Sequence, residues 1–462
     1  MSQQPATSMF LRGPFAPVGR EIDAVELQVD GQIPRDLNGT LFRAGPNPQF
    51  EPLIPSAHHW FDGDGMVHAL TLQEGRASYR NRWVHTAAFL AERRRGTAAY
   101  GSFMNGGTPA PRMTGFPPLK NPGNTNVTVF DGRLLVFCEG DLPHSLGVDT
   151  LETHGQYDFH GDVSGVITAH FKIDPRNGDM LFFGAMGPSI TWYRASNDGR
   201  LLESHAFLTG VPCFIHDFAV TEGYAIFFIN PSIVDIEGVF EGRPSTIWNP
   251  EIRNRIAVMS RDTGKVQWIE QDETFAPSHF LNAHQSGRKI IVDANRAPTF
   301  GNRIGQRNPF EVALPWRWEI DLDKESVTSK QMADFNSEFP RHNESFTGRK
   351  HRFAYYAATR TGRFCENWLF DHVAKHDLDT GNVEYQNVGA ELTSPGEPLF
   401  VPRANGKAED DGWVLSMWWD ESRDCSEIVV QDAQDFAARP VARIKLNQRV
   451  PMGFHGNWVS AG

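Results

Sequence analysis

Four of the seventeen histidines in this chain share a setting that suits metal chemistry. They are His170 in Thr168-Ala169-His170-Phe171-Lys172-Ile173, His216 in Phe214-Ile215-His216-Asp217-Phe218, His279 in Pro277-Ser278-His279-Phe280-Leu281, and His455 in Gly453-Phe454-His455-Gly456-Asn457-Trp458. Each lies in or beside an apolar, strand-like run with small or rigid neighbours. Together they could hold a transition metal through neutral imidazoles. Taken singly, each reads more readily as a hydrogen-bonded structural histidine, and their spacing matches no local metal motif such as HExxH. Three carboxylates draw attention for a related reason. Glu139 (Phe137-Cys138-Glu139-Gly140), Glu338 (Glu338-Phe339-Pro340-Arg341) and Glu397 (Gly396-Glu397-Pro398-Leu399) would alone read as surface charges. Two of them stand beside apolar strand residues and a proline, where a carboxylate needs a partner.

The elements that must position these residues read as strands. Val127-Thr128-Val129-Phe130 and Leu134-Leu135-Val136-Phe137 flank Asp131-Gly132, a hairpin signal. The same grammar returns at Asn197-Asp198-Gly199, Asp262-Thr263-Gly264 and Asp379-Thr380-Gly381. Helical periodicity is scarce, with Thr86 to Arg95 the best candidate. The Gly107-Thr108-Pro109-Ala110-Pro111 run and the Asn249-Pro250 region read as long loops rather than linkers. Many short strands spread over the whole chain favour one β-propeller over a pair of β-sandwiches.

Composition narrows the partners. A net charge of −12 argues against nucleic acid, which needs clustered Lys and Arg. The Arg93-Arg94-Arg95 cluster reads as a solvated loop, with a lipid-surface contact as the lesser reading. The polar opening Met1-Ser2-Gln3-Gln4-Pro5 has no apolar signal region, and no run of about 18 apolar residues could span a bilayer. Cysteines 138, 213, 365 and 425 form no CxxC pair, so a reducing cytoplasm is the expected home. The 33 Phe and 12 Trp against 8 Tyr suit dry core layers or an apolar ligand.

The four histidine contexts, in this order, resemble the metal-binding segments of the carotenoid cleavage oxygenase family. Further matches lie around them: Gly39-Thr40-Leu41-Phe42-Arg43-Ala44-Gly45-Pro46-Asn47-Pro48, Trp60-Phe61-Asp62-Gly63-Asp64-Gly65-Met66-Val67, Asn124-Thr125-Asn126-Val127 and Gly396 to Arg403. The resemblance runs from about residue 20 to residue 458. It implies an all-β, seven-bladed propeller over 21–462, capped on its active-site face by loops and short helices, after a partly flexible segment 1–20. It also implies iron(II) on the axis, held by His170, His216, His279 and His455. Glu139, Glu338 and Glu397 would then accept hydrogen bonds from the ligand imidazoles. Thr125, 14 residues before Glu139, matches the family threonine that crowds one open iron position. One departure is Asn282-Ala283-His284-Gln285, where relatives usually carry an acidic residue.

The resemblance implies addition of dioxygen across a carbon–carbon double bond of an apolar alkene, giving two carbonyl products. No side-chain nucleophile is needed, and no triad signature is present. The family's stilbene and phenylpropene cleavers hold a phenol with a lysine just before the first glutamate and a tyrosine from an upstream loop. Here that lysine position is Cys138, and the loop reads Tyr100-Gly101-Ser102-Phe103-Met104-Asn105, so Phe103 and Cys138 are candidate substrate contacts. An apocarotenoid or carotenoid is therefore the expected substrate. Cleavage of a stilbenoid or phenylpropene is the alternative, since Tyr100 and Lys120 could reach a phenol. A retinoid-type isomerase and a non-enzymatic binding propeller are the more distant readings. A polyene substrate would need an apolar mouth touching lipid, for which Phe89-Leu90 beside Arg93 to Arg95 and the segment from Ile233 to Phe240 are the candidates.

Overall fold

The computed structural model describes residues 7–300, 302–303, 313–360 and 369–461; Cys365 lies outside them. Seven antiparallel sheets form the blades of a propeller. In chain order, the innermost strands of blades 2 to 7 are Asn126–Phe130, Lys172–Ile173, Ala219–Val220, Ala276–Ser286, Asn336–Arg341 and Leu399–Pro402. Blade 1 takes its innermost strand, Gly456–Ser460, from the far end of the chain and pairs it with Gly39–Pro46. The N-terminal strand Gln28–Gly31 in turn pairs with Ala442–Lys445 at the outer edge of blade 7. The ring is thus closed twice, by exchange of one strand in each direction.

The turns do what their residues allow. Asp131 and Gly132 both take positive φ, 49° and 64°, the primed geometry that a two-residue hairpin needs. The turns at Asn197 to Gly199, Asp262 to Gly264 and Asp379 to Gly381 each join outer strands of blades 3, 4 and 6. Helix Ala87–Arg95 forms as expected, capped by the Thr86 side chain and ended by Gly96 at φ 79°. A second helix, Ile236–Phe240, is only five residues long, too short for its apolar spacing to stand out in sequence; Asp235 caps it.

Most of the aromatic supply fills the layers between blades: Trp192, Trp318, Trp418, Phe182, Phe183 and Phe218 are fully buried. Each such side chain contributes about 1.5–3 kcal/mol of burial. Within the N-terminal segment, Phe10 and Phe15 pack with Trp60, Phe339 and Phe454, directly beside His455. Among the described residues, no helix is long and apolar enough to cross a membrane.

Candidate metal centre and substrate cavity

All seven blades deliver one member of the site. His170 and His216 stand two and three residues before the first residue of the innermost strands of blades 3 and 4, His279 lies in that of blade 5, and His455 immediately precedes that of blade 1. Glu139 follows the second strand of blade 2, Glu338 sits in the innermost strand of blade 6, and Glu397 precedes that of blade 7. The pleat does not aim these side chains unaided. Pairing in blade 5 shifts register between Pro277 and Phe280, around His279. In blade 6 it shifts between Glu338 and Arg341, where Phe339 takes φ 54°. An aromatic residue at positive φ costs on the order of 1–3 kcal/mol, and such a bulge re-aims its neighbours.

The four imidazoles converge, His170 lying 4.2, 5.0 and 4.6 Å from His216, His279 and His455 by ring centres. Nε2 of His216 and Nε2 of His279 face each other at 3.0 Å. His170 Nε2 is buried without a hydrogen-bond partner. Nitrogens of His170, His279 and His455 lie within 4.8 Å of one another. Lone pairs directed at one another across a small gap are the arrangement a cation resolves, so this donor set fits a transition metal.

Three of the rings meet a carboxylate on the far side. His279 Nδ1 lies 2.5 Å from Glu338 Oε2, and His455 Nδ1 2.8 Å from Glu397 Oε1. His216 Nδ1 stands 2.6 Å from Glu139 Oε1, off the line of an ideal hydrogen bond. His170 has no such partner; its nearest carboxylate oxygen, on Glu139, is 3.9 Å from Nε2. Burial holds His170 well below its ordinary pKa and lowers His455 to about 4, both favouring neutral imidazole. At His279 burial acts the same way but is outweighed by Glu338, and the net shift is upward. Glu397 is lowered to about 2: its burial is overcome by Arg341 and His455.

Two functional neighbours escaped the sequence reading. Arg341 donates from Nη1 to Glu397 Oε1 at 3.2 Å. Asp217 accepts from Lys172 Nζ at 2.8 Å, from Phe218 N at 2.7 Å and from Phe280 N at 2.8 Å. It thereby ties together the strands bearing His170, His216 and His279. Both residues stood inside motifs already quoted, but a single chain shows no pairing partner for either.

His216, His279 and His455 open onto a cavity of about 230 Å³. Thr125, Cys138, Glu139, His216, His279 and Phe339 are among its walls, and Phe103 lines it from an exposed position. His170 and Glu397 lie behind the wall. The Thr125 hydroxyl is turned to Asn124 Oδ1 at 3.1 Å and Glu139 Oε2 at 3.5 Å. Burial, with Glu139 adding to it, pushes the Cys138 thiol up to about 12, so it stays neutral. Tyr100 and Lys120 also line the cavity but are engaged. The Tyr100 hydroxyl donates to Pro117 O at 2.8 Å, and Lys120 Nζ is held by Asp64 at 2.8 Å and Glu92 at 3.0 Å.

A propeller that brings four imidazoles and three carboxylates to its axis defines a class of metal-dependent oxygenase. The retinal pigment epithelial membrane protein (RPE65) family matches residues 15–460. The chain belongs to this family, that of the carotenoid cleavage oxygenases. It is 32% identical to isoeugenol monooxygenase of Pseudomonas nitroreducens, over 97% of both chains. It is likewise 32% identical to a carotenoid cleavage oxygenase of Mycobacterium tuberculosis, with the same coverage of each. Among solved structures, Pseudomonas brassicacearum lignostilbene dioxygenase superposes with a TM-score of 0.91 at 30% identity, covering 99% of this chain and 100% of that one. Synechocystis apocarotenoid oxygenase gives 0.87 at 30% identity and the same coverage. The chain is therefore an enzyme, a non-haem oxygenase, and the reading as a bare binding propeller has no support.

Proposed function

We propose that the chain is an iron(II)-dependent dioxygenase that cleaves a double bond of an apocarotenoid or carotenoid into two carbonyl products. The observation that carries the substrate class is the cavity wall: it is mostly apolar, and its lysine is already paired with two carboxylates. The residue before Glu139 is a neutral thiol, which cannot hold a phenolate as an ammonium would. His170, His216, His279 and His455 would hold the metal, leaving positions open for dioxygen. Iron, when bound, supplies the spin-unpaired electrons that let triplet oxygen react with a spin-paired alkene. The protein's part is to orient imidazoles through Glu139, Glu338 and Glu397 and to keep the alkene dry beside them. Thr125, its hydroxyl turned to Asn124 and Glu139, would restrict access to a metal held by the histidines.

Phenylpropene or stilbenoid cleavage is the second reading. It draws on the names of the isoeugenol and lignostilbene relatives and on Tyr100 in the cavity wall. Substrate delivery from a lipid surface is a further element of the proposal. Leu90, Phe103 and Ile236 are exposed apolar residues, and Arg93, Arg94 and Arg95 close the helix that carries Leu90. Phe89 is buried and takes no part in such an edge. The deciding experiment loads purified protein with iron under nitrogen, then supplies ¹⁸O₂ with a panel of apocarotenals and stilbenes. The reading expects labelled oxygen in both carbonyl products and faster turnover of the apocarotenals. Faster cleavage of 4-hydroxystilbenes reverses the choice of substrate.

A further inference from the structure

The three glutamates around the imidazoles differ in one respect: what balances their charge. Glu397 is met by Arg341 at 3.2 Å and accepts Gly456 N at 2.9 Å. Arg341 itself is shared with the half-exposed Glu344, and a second buried guanidinium, Arg43, packs against Gly396. Asp217, the fourth carboxylate nearby, is paired with Lys172. Two cations thus face Glu397 and Glu344, and one faces Asp217. Glu139 and Glu338 have no such partner. Among the described residues, their ion-pair contacts are to histidines alone: His216 and His170 for Glu139, His279 for Glu338. Both line the cavity, where an unbalanced carboxylate is costly to keep.

We propose that Glu139 and Glu338 carry the counter-charge of the metal, while Glu397, already neutralised by Arg341, only positions His455. The proposal rests on the metal-centre reading above. Its physical content is a balance: four neutral imidazoles contribute nothing, so a divalent cation is matched by the two unpaired carboxylates and by nothing else within reach. The strand Asn336–Arg341 sets up both halves of this division. Its register shift at Phe339 sends Glu338 to His279 and Arg341 to Glu397. The metal-free protein then carries two partly buried carboxylates whose only ion-pair contacts are to histidines, and the loaded protein sets them against the cation.

Glutamine keeps one acceptor for each imidazole and removes the charge, turning the other carboxylate oxygen into an NH2 donor, so three substitutions separate the roles. The measurements are anaerobic titration with cobalt(II) alone, followed by its visible absorption, and thermal unfolding of the metal-free proteins. Glu139→Gln and Glu338→Gln should each weaken cobalt binding by about 100-fold, and Glu397→Gln by less than about tenfold. Without metal, the first two should melt higher than wild type by about 1–3 °C. Glu397→Gln should melt lower, because it takes from Arg341 its buried carboxylate and leaves only the exposed Glu344. Should Glu397→Gln fail to fold, the double variant Arg341→Met/Glu397→Gln removes the pair together and should bind cobalt within about tenfold of wild type. Equal losses of affinity in all three single variants overturn the division, as does a lower melting point for metal-free Glu139→Gln or Glu338→Gln. Wild-type protein that takes up no cobalt overturns the metal-centre reading itself, a result distinct from either.

Discussion

On the metal-centre reading, removing one imidazole at the axis takes away a ligand, and at His216, His279 or His455 it also leaves a carboxylate facing a void. His170→Ala, His216→Ala, His279→Ala and His455→Ala are each expected to weaken metal binding by at least about 100-fold and to abolish turnover. Metal analysis of the purified variants checks this, and any variant with wild-type metal and rate takes its residue out of the site. At position 138 the question is specificity rather than metal. Cys138→Lys would place an ammonium on the cavity wall beside Glu139, a donor for the oxygen of a phenolic substrate. It should raise cleavage of 4-hydroxystilbenes by about tenfold, the scale of one charge-assisted hydrogen bond, and leave apocarotenal turnover equal or lower. Unchanged relative rates on the two substrates would separate residue 138 from substrate choice. These residues were legible because they stand in segments that resemble a family's. Asp217 and Arg341 were not, because their roles lie in contacts across blades that no single strand announces.

The hairpin with its Asp-Gly turn and the helix Ala87–Arg95 could be read directly, since their signals are local. The bulges at His279 and Phe339 could not: positive φ at a phenylalanine contradicts its intrinsic preference and is imposed by the blades packed around it. The C-terminal segment is the sharpest case at this scale. Composition alone makes Val450 to Trp458 a frayed tail, yet residues 450–457 are buried. Glycine is required there by close approach: a Cβ at Gly453 would lie 2.8 Å from Ala44 O, and one at Gly456 only 2.4 Å from Phe42 O. Deleting the chain from Gly453 onward removes His455, takes two hydrogen-bond donors from Glu397 and strips blade 1 of its innermost strand. The truncated protein should hold no metal and consume no oxygen. Deleting only Ser460, Ala461 and Gly462 should be nearly silent, since it spares His455 and most of that strand. Metal content and oxygen uptake of the two truncations, measured beside the full chain, check the contrast; an active, metal-loaded protein without residues 453–462 would break the four-histidine arrangement.

At the scale of the whole molecule, one point in space collects a residue from every blade, and the ring around it is closed by strand exchange at both ends. A cation at that point therefore binds the closed propeller and not the open chain, in which the four histidines are scattered from His170 to His455. Binding to the folded state alone stabilises it by about 4 kcal/mol when the free metal stands at 1,000 times its dissociation constant. In a chain of 462 residues, which exposes more surface on unfolding than the domains usually tabulated, each kcal/mol moves the melting point by about 1–2 °C. Iron(II) or cobalt(II) added anaerobically should thus raise the melting point by about 4–8 °C, in one transition, because no blade can keep its part of the site alone. The same additions to His170→Ala or His455→Ala should give little or no shift, although their ligands come from different blades. Scanning calorimetry with and without metal provides the comparison. A metal-dependent shift confined to one of two separate transitions would mean that part of the propeller unfolds independently of the axis.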